Sequence, residues 1–454
     1  MDSDQTLRAR SRRRFRIHPT QATVIGYLVL ITIGAMLLAL PISSTREPIS
    51  FIDAFFTATS AVCVTGLSVF DISTVLSDFG KVVLMSLIQL GGLGIMVVSG
   101  FVAIAIFRRL STGGADLIST EFRAQPADAT LKSTILRIVR MVLFIEVIGA
   151  LIMSTWFSIA YDYDVLKSLW MGTFHAVSSF NNAGFALYSD NMMGFVSDPV
   201  ISLTVCALVI LGGLGFPVIM ELRRVGWAPR RWTMNFNIVM FMTLVLLVAG
   251  TVFIAVLEWS NPDTLGLLDP GSKILAAFFQ SVQTRTAGFN SVDIGAMNPE
   301  TWLGVDALMF IGAGPAGTAG GIKVTTFAVL AFIVWTELKG DSAVNIFGKR
   351  LSRSVHRQAI TIALLAVAYI AFSTILMQLT TNETTDRIIL EVISAFGTVG
   401  LSTGITENLP DPALINLILL MIIGRLGPLA LSTALVLSDR PKLYEFPKER
   451  PILG

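Results

Sequence analysis

Four short runs of hydroxyl-bearing, amide and small apolar residues each close on a glycine: Val64-Thr65-Gly66, Asn182-Ala183-Gly184, Thr286-Ala287-Gly288 and Thr398-Val399-Gly400. The glycines recur 104 to 118 residues apart in a chain of 454. Self-similarity at a steady period defines an architecture before any local reading. What these runs offer is backbone oxygen. Glycine reaches dihedrals that other residues avoid, so each run can turn its carbonyls to one side. Four such turns around one axis would form an oxygen-lined ring that replaces the hydration shell of a small cation.

Other chemistry is sparse. Cys63 and Cys206 lie in different apolar contexts and read as free thiols. His18, His175 and His356 are scattered without ligand spacing, so no metal site is expected beyond the cation ring. His175 beside Ser178 and Ser179 is the nominal candidate for a base and nucleophile inside a membrane. A packing role in a short helix is the stronger reading, and the chain is not expected to be an enzyme.

The elements that must position the ring are apolar. The chain is 53% hydrophobic and 14% charged, with mean hydropathy +0.72; soluble domains carry roughly 25% charged residues. Crossing hydrocarbon takes about 20 residues. Stretches 24–40, 82–107, 199–220, 232–257 and 358–382 carry no Asp, Glu, Lys or Arg. Three more hold one or two such residues: 141–160 (Glu146), 301–336 (Asp306, Lys323) and 412–438 (Arg425). Between the members of each pair sits an apolar segment too short to cross, at 52–62, 168–180, 274–282 and 388–395, with a repeated glycine following its C-terminal end. Segments of this length read as re-entrant or interfacial, and non-helical backbone at membrane depth is tolerated where it is buried in protein or lines water. Their helix C-termini would aim partial negative charge at a central cation.

The predicted fold is an all-α integral membrane protein of four tandem span–re-entrant pore loop–span repeats around one central pore, with eight full transmembrane helices. Its parts are a basic tail 1–20, pore repeats 21–110, 130–226, 232–340 (second helix broken) and 355–440, and a C-terminal tail 441–454. Lys and Arg concentrate in the tails and one set of loops, so the positive-inside rule puts both termini in the cytoplasm. The Arg-rich start reads as a cytoplasmic anchor rather than a nucleic-acid-binding arm or signal peptide. The opposite loops hold Asp53, Asp71, Asp164, Asp198 and Asp269 among other acids. These either concentrate cations at the mouth or are simply solvated.

A second set of glycines follows each filter run: Gly91-Gly92, Gly212-Gly213, Gly312-Ala313-Gly314 and Gly424-Arg425. Arg425 stands where the other repeats have Gly92, Gly213 and Ala313. An arginine at span centre costs at least ~2.5 kcal/mol on insertion scales, so it must face protein or water. It either ties helices together through backbone carbonyls or sets a positive barrier in the path below the ring, and both can hold. The run Gly312, Gly314, Gly317, Gly320 and Gly321, with Pro315, cannot be a continuous helix, since Gly costs about 1 and Pro about 3 kcal/mol per helical position. It reads as a movable plug that breaks the span. Lys323 at its end reads as a charge seeking a carboxylate, with Glu146 one candidate partner; the weaker alternative for the run is a structural kink.

Together these motifs, with Gly320-Gly-Ile-Lys-Val324 and Gly424-Arg-Leu-Gly427, resemble the Trk/Ktr/HKT superfamily of potassium transporters over roughly residues 20–440. The short basic start is closer to the Ktr type than to Trk subunits with two extra N-terminal helices. The resemblance implies a potassium-selective filter with Gly66, Gly184, Gly288 and Gly400 at its corners, potassium being held only there. It implies a homodimer in the plasma (inner) membrane, in contact with lipid and not nucleic acid. It further implies a cytoplasmic ring of KtrA-type regulatory subunits that carries the nucleotide; no cofactor is expected on this chain. The rival reading is a sodium-coupled or alternating-access secondary transporter, which predicts inverted repeats and substrate-binding charges.

Overall fold

A computed structural model describes residues 19–45, 47–110, 131–226, 228–341 and 343–427. The expected basic tail, the 111–130 loop, His18 and the C-terminal tail lie outside them. The described chain is almost wholly helical. It opens with α1 (Pro19–Leu38), a short α2 (Phe51–Cys63), one turn of α3 (Ile72–Val75) and the long α4 (Asp78–Leu110). Next come α5 (Leu131–Ala160), α6 (Val165–Phe180), α7 (Pro199–Leu214) and α8 (Phe216–Val225). Then follow α9 (Met234–Glu258), α10 (Pro270–Gln283), α11 (Pro299–Phe310) and α12 (Val324–Lys339). A two-stranded hairpin, β1 (Asn345–Ile346) with β2 (Lys349–Arg350), leads to α13 (Arg353–Thr380), α14 (Thr385–Gly397) and α15 (Asp411–Leu426).

The short helices α2, α6, α10 and α14 are largely enclosed. Every residue of α2 from Phe56 to Cys63 is buried, the hydroxyl-bearing Thr57, Thr59 and Ser60 included. Three of their starts are capped: Ser50, Asp164 and Asp269 accept the amides of Asp53, Lys167 and Ser272 at 2.9–3.1 Å. Asp71 and Asp198 cap α3 and α7 in the same way. These acids therefore satisfy orphan helix-start amides, a role that neither sequence reading of the outer loops included.

On length and composition α9 and α13 can cross a membrane, and the pair α7–α8 adds a third crossing if counted as one. That pair departs from the uninterrupted stretch read at 199–220: the two helices meet at 93°. Gly215 sits between them at φ +89°, and Pro217 follows. Proline has no N–H to give Gly213 and its ring clashes with that carbonyl, so the helix turns there.

Candidate functional site

All four glycine runs converge. A Cβ built on Gly66 would lie 2.5 Å from the Ala183 carbonyl oxygen, and one on Gly184 would lie 2.6 Å from that of Ala287. On Gly288 and Gly400 it would collide with the carbonyl oxygens of Val399 and Thr65. Each of these positions is also 3.0–3.2 Å from the next glycine's Cα. The runs thus meet in chain order and close into a ring, in which glycine is required by space. It is required by dihedral as well, with φ of +98°, +70°, +74° and +98°. Two residues earlier, Val64, Asn182, Thr286 and Thr398 also take positive φ, between 49° and 68°. Such conformations cost on the order of 1–3 kcal/mol for most residues and cluster where function requires them. Left-handed residues at alternate positions turn successive carbonyls toward one side, the condition for an oxygen-lined ring.

Buried side chains behind the ring hold this shape. Ser60 and Ser394 each stand six residues before a ring glycine and accept its amide, from Gly66 at 3.1 Å and Gly400 at 3.0 Å. Ser178, at the same position, donates instead to the Phe185 carbonyl at 2.8 Å. His175 and Glu391 stand nine residues before their glycines and tie down the chain that leaves the ring. His175 gives Nδ1 to the Met171 carbonyl and accepts the Leu187 amide on Nε2 at 3.2 Å. Glu391 accepts from the hydroxyls of Ser402 and Thr406. Both imidazole nitrogens are thus engaged with backbone, and Ser178 is turned to a carbonyl, so no base–nucleophile pair forms. The role of Glu391 was missed in the sequence; its signal was a lone carboxylate in the otherwise apolar 388–395 segment. Glu258 was missed as well. It ends α9 and accepts from Thr301, the Asn298 amide, Asn261 and Thr264.

The second set of glycines packs against the short helices. A Cβ on Gly91, Gly212 or Gly424 would overlap the carbonyl of Val62, Phe180 or Phe396, each four residues before a ring glycine. In the third segment the chain leaves helix at Ile311 and re-enters at Val324. The intervening loop lies directly against the ring segments: Gly320 abuts Thr398 and Gly321 abuts Gly397. It also completes the kink at Gly215. The Gly212 and Gly213 carbonyls accept the amides of Thr318 (3.2 Å) and Gly314 (2.8 Å), while Phe216 donates to the Ala316 carbonyl at 3.3 Å. Broken helix and loop thereby satisfy each other's backbone groups, as burial away from water demands. The Asn182 amide and the Thr318 hydroxyl are 2.8 Å apart, with the amide nitrogen turned to Thr318, Phe180 and Val209.

Arg425 is 2% exposed. Its guanidinium donates to the Thr318 carbonyl in the loop and, at 3.2 Å, to the Gly91 carbonyl in α4. One side chain therefore bridges α15, the loop and α4. Lys323 differs from expectation. It bonds the Ala319 and Gly320 carbonyls of its own loop at 2.5 and 3.3 Å, while Glu146 accepts from Gln89 (3.1 Å) and Asn181 (3.0 Å). Glu146 thus has two neutral donors nearer to hand, and the loop's curl offers the ammonium its own carbonyls. Cys63 and Cys206 are free and buried.

The family profile described as TrkH, cation transport protein, matches residues 6–444. The chain belongs to the TrkH family of cation transport proteins. It is similar to the Ktr system potassium uptake protein B of Vibrio alginolyticus, 38% identical with 95% of this chain and 94% of that protein covered. The Bacillus subtilis protein of the same description is also 38% identical, over 91% of this chain and 92% of that one. The potassium/sodium uptake protein NtpJ of Enterococcus hirae is 33% identical over 98% and 99%. The fold matches the crystal structure of the potassium transporter TrkH from Vibrio parahaemolyticus with a TM-score of 0.74, covering 94% of this chain and 87% of that one at 19% identity. The chain is accordingly a membrane protein of a transport family.

Proposed function

We propose that this protein takes up potassium through the ring of carbonyls at Gly66, Gly184, Gly288 and Gly400. The observation that carries the reading is the closure of that ring, each glycine pressed against the carbonyl before the next one. In this reading four span–pore loop–span repeats supply eight crossings, with both termini in the cytoplasm. The ends of α2, α6, α10 and α14 aim their dipoles at the ion. Each repeat brings one filter glycine, so few ordered carbonyl rings form and discrimination against sodium is modest. The loop from Gly312 to Gly321 is the gate, and Arg425 holds it shut while adding a positive charge to the path. A homodimer seated on a cytoplasmic nucleotide-binding ring would control that gate, the nucleotide residing on the partner. The similarity to proteins described as Ktr system potassium uptake protein B supports the choice of ion.

Radioactive rubidium uptake into proteoliposomes holding this chain, competed with potassium, sodium and ammonium, tests the proposal. Potassium is expected to compete best. Stronger competition by sodium or ammonium would overturn the ion assignment. No uptake, even with the regulatory ring added, would overturn the pore.

A further inference from the structure

The hairpin between α12 and α13 is unrelated to the ring, yet it is firmly built. Its turn, Phe347-Gly348, has both φ angles positive, at 48° and 76°, the geometry of a tight two-residue hairpin. The Leu351 amide closes on the Val344 carbonyl at 3.0 Å. Val344, Ile346 and Leu351 are buried against Ile238 of α9, Ala328 and Val329 of α12 and Ala359 of α13. The hairpin is therefore a rigid platform at the base of three helices, two of which are long and apolar enough to cross a membrane.

Its outer surface has two kinds of chemistry. Phe347 is 48% exposed and packs edge-on to Phe241 of α9, itself 51% exposed, with ring centroids 6.2 Å apart. Around these apolar rings the charge is basic: residues 337–357 hold five Lys or Arg against Glu337 and Asp341. Arg350, Arg353 and Arg357 are exposed. Arg353 opens α13, whose first turn has no acid, so its charge lies at the wrong end of the helix dipole and gains from a nearby anion. Spacing of three and four residues puts Arg353, Arg357, Ile360, Leu364 and Val367 on one helical face, and the three apolar members are 43–66% exposed. On α12, exposed Trp335 carries Lys339 over its ring at 4.8 Å, the pairing of amphipathic ring and cation found at membrane interfaces.

We infer that the hairpin and the first half of α13 form a binding site for an anionic phospholipid. The arginines Arg350, Arg353 and Arg357 take its phosphate, and Phe347 and the Ile360–Leu364–Val367 stripe take its chains. A ligand meeting this surface must be anionic at one end and hydrocarbon along its length. Because α13 is long and apolar enough to cross a membrane, its stripe lies among lipid chains, and the arginines at its start sit where lipid headgroups begin.

Native mass spectrometry of the delipidated full chain, titrated with phosphatidylglycerol or phosphatidylcholine, tests the site. Each basic residue near an anionic surface contributes roughly fivefold in affinity. The triple variant Arg350→Gln/Arg353→Gln/Arg357→Gln is expected to lose on the order of 100-fold in phosphatidylglycerol affinity, with phosphatidylcholine unchanged. The corresponding triple Lys variant should keep most of it. If the triple Gln variant does not fold, Arg353→Gln alone should read about fivefold against Arg353→Lys. Equal retention of both lipids by the natural chain would overturn the site. So would undiminished phosphatidylglycerol binding by a folded Gln variant, the outcome for a face that docks protein. Displacement by soluble glycerol phosphate would also overturn it, because the hydrocarbon stripe would then contribute nothing.

Discussion

Replacing Arg425 with alanine removes a bridge whose strength follows from its two acceptors. The guanidinium is buried and donates to the Thr318 carbonyl of the loop and the Gly91 carbonyl of α4. Hydrogen bonds to a charged group contribute about 1.5–3 kcal/mol each. The Gly91 carbonyl keeps a second donor, the Tyr27 hydroxyl at 3.1 Å, so most of the loss falls on the loop side at Thr318. A docked loop weakened by about 1.5–3 kcal/mol opens more often by roughly 10- to 150-fold, at tenfold per 1.4 kcal/mol. Rubidium influx into proteoliposomes should rise steeply until open loops dominate. Arg425→Lys, with the charge kept but the two-pronged reach lost, should fall between natural chain and Arg425→Ala if the bridge matters. It should match the natural chain if the charge alone sets the barrier. Natural influx in an Arg425→Ala protein that melts and elutes normally would refute the reasoning.

Four further outcomes are expected. In Gly66→Ser the new Cβ presses on the Ala183 carbonyl at φ +98°, so the ring must distort; sodium should compete better with rubidium, and unchanged competition would count against the ring. Shortening the loop within Gly312–Gly321 removes the partners of Arg425 and Asn182 and should raise influx, whereas a shortened but tightly closed protein would exclude a gate. Glu391→Leu takes the carboxylate acceptor from the half-buried Ser402 and buried Thr406 hydroxyls, which lie 3.0 Å apart and can bond each other, leaving one of them short of a partner at about 1–3 kcal/mol; both thermal midpoint and discrimination against sodium should drop, and loss of neither would mean the carboxylate is idle. Asp71 lies outside the spanning helices: burial pushes its carboxyl up, but hydrogen bonds from Ser189, Ser73 and Thr74 outweigh this and hold it below the ordinary value. Its stabilisation is therefore full above the unfolded value and is lost as pH falls through the lowered folded value, so Asp71→Asn should lower the melting midpoint at neutral pH, by progressively less as the pH is taken down through the acid range.

Some of this was legible because it is periodic. The four runs recur at similar intervals, and the residues Gly66, Gly184, Gly288 and Gly400 that share a register are those that meet. Arg425 could be singled out because it interrupts a pattern of small residues, and an interrupted pattern marks a position even when its contacts are unknown. The acids of the outer loops were visible but their capping role was not: Asp71, Asp164, Asp198 and Asp269 are helix caps, and a cap depends on where a helix starts to within one residue. Pro217 was passed over because its neighbours are apolar and hydropathy averages over a window, while a kink depends on one missing N–H.

Composition and period by themselves determined that this chain is a helical membrane protein with four equivalent glycine corners, since burying apolar length and turning backbone are local demands. Partnerships were decided only in three dimensions. Lys323 carries no mark in the sequence that sends it to its own loop's carbonyls rather than to Glu146. Nor does Gly212 or Gly213 announce that its carbonyl will be satisfied by an amide about a hundred residues away. A buried polar group takes whichever partner the packing brings within 3 Å, and that distance exists only once the helices have assembled.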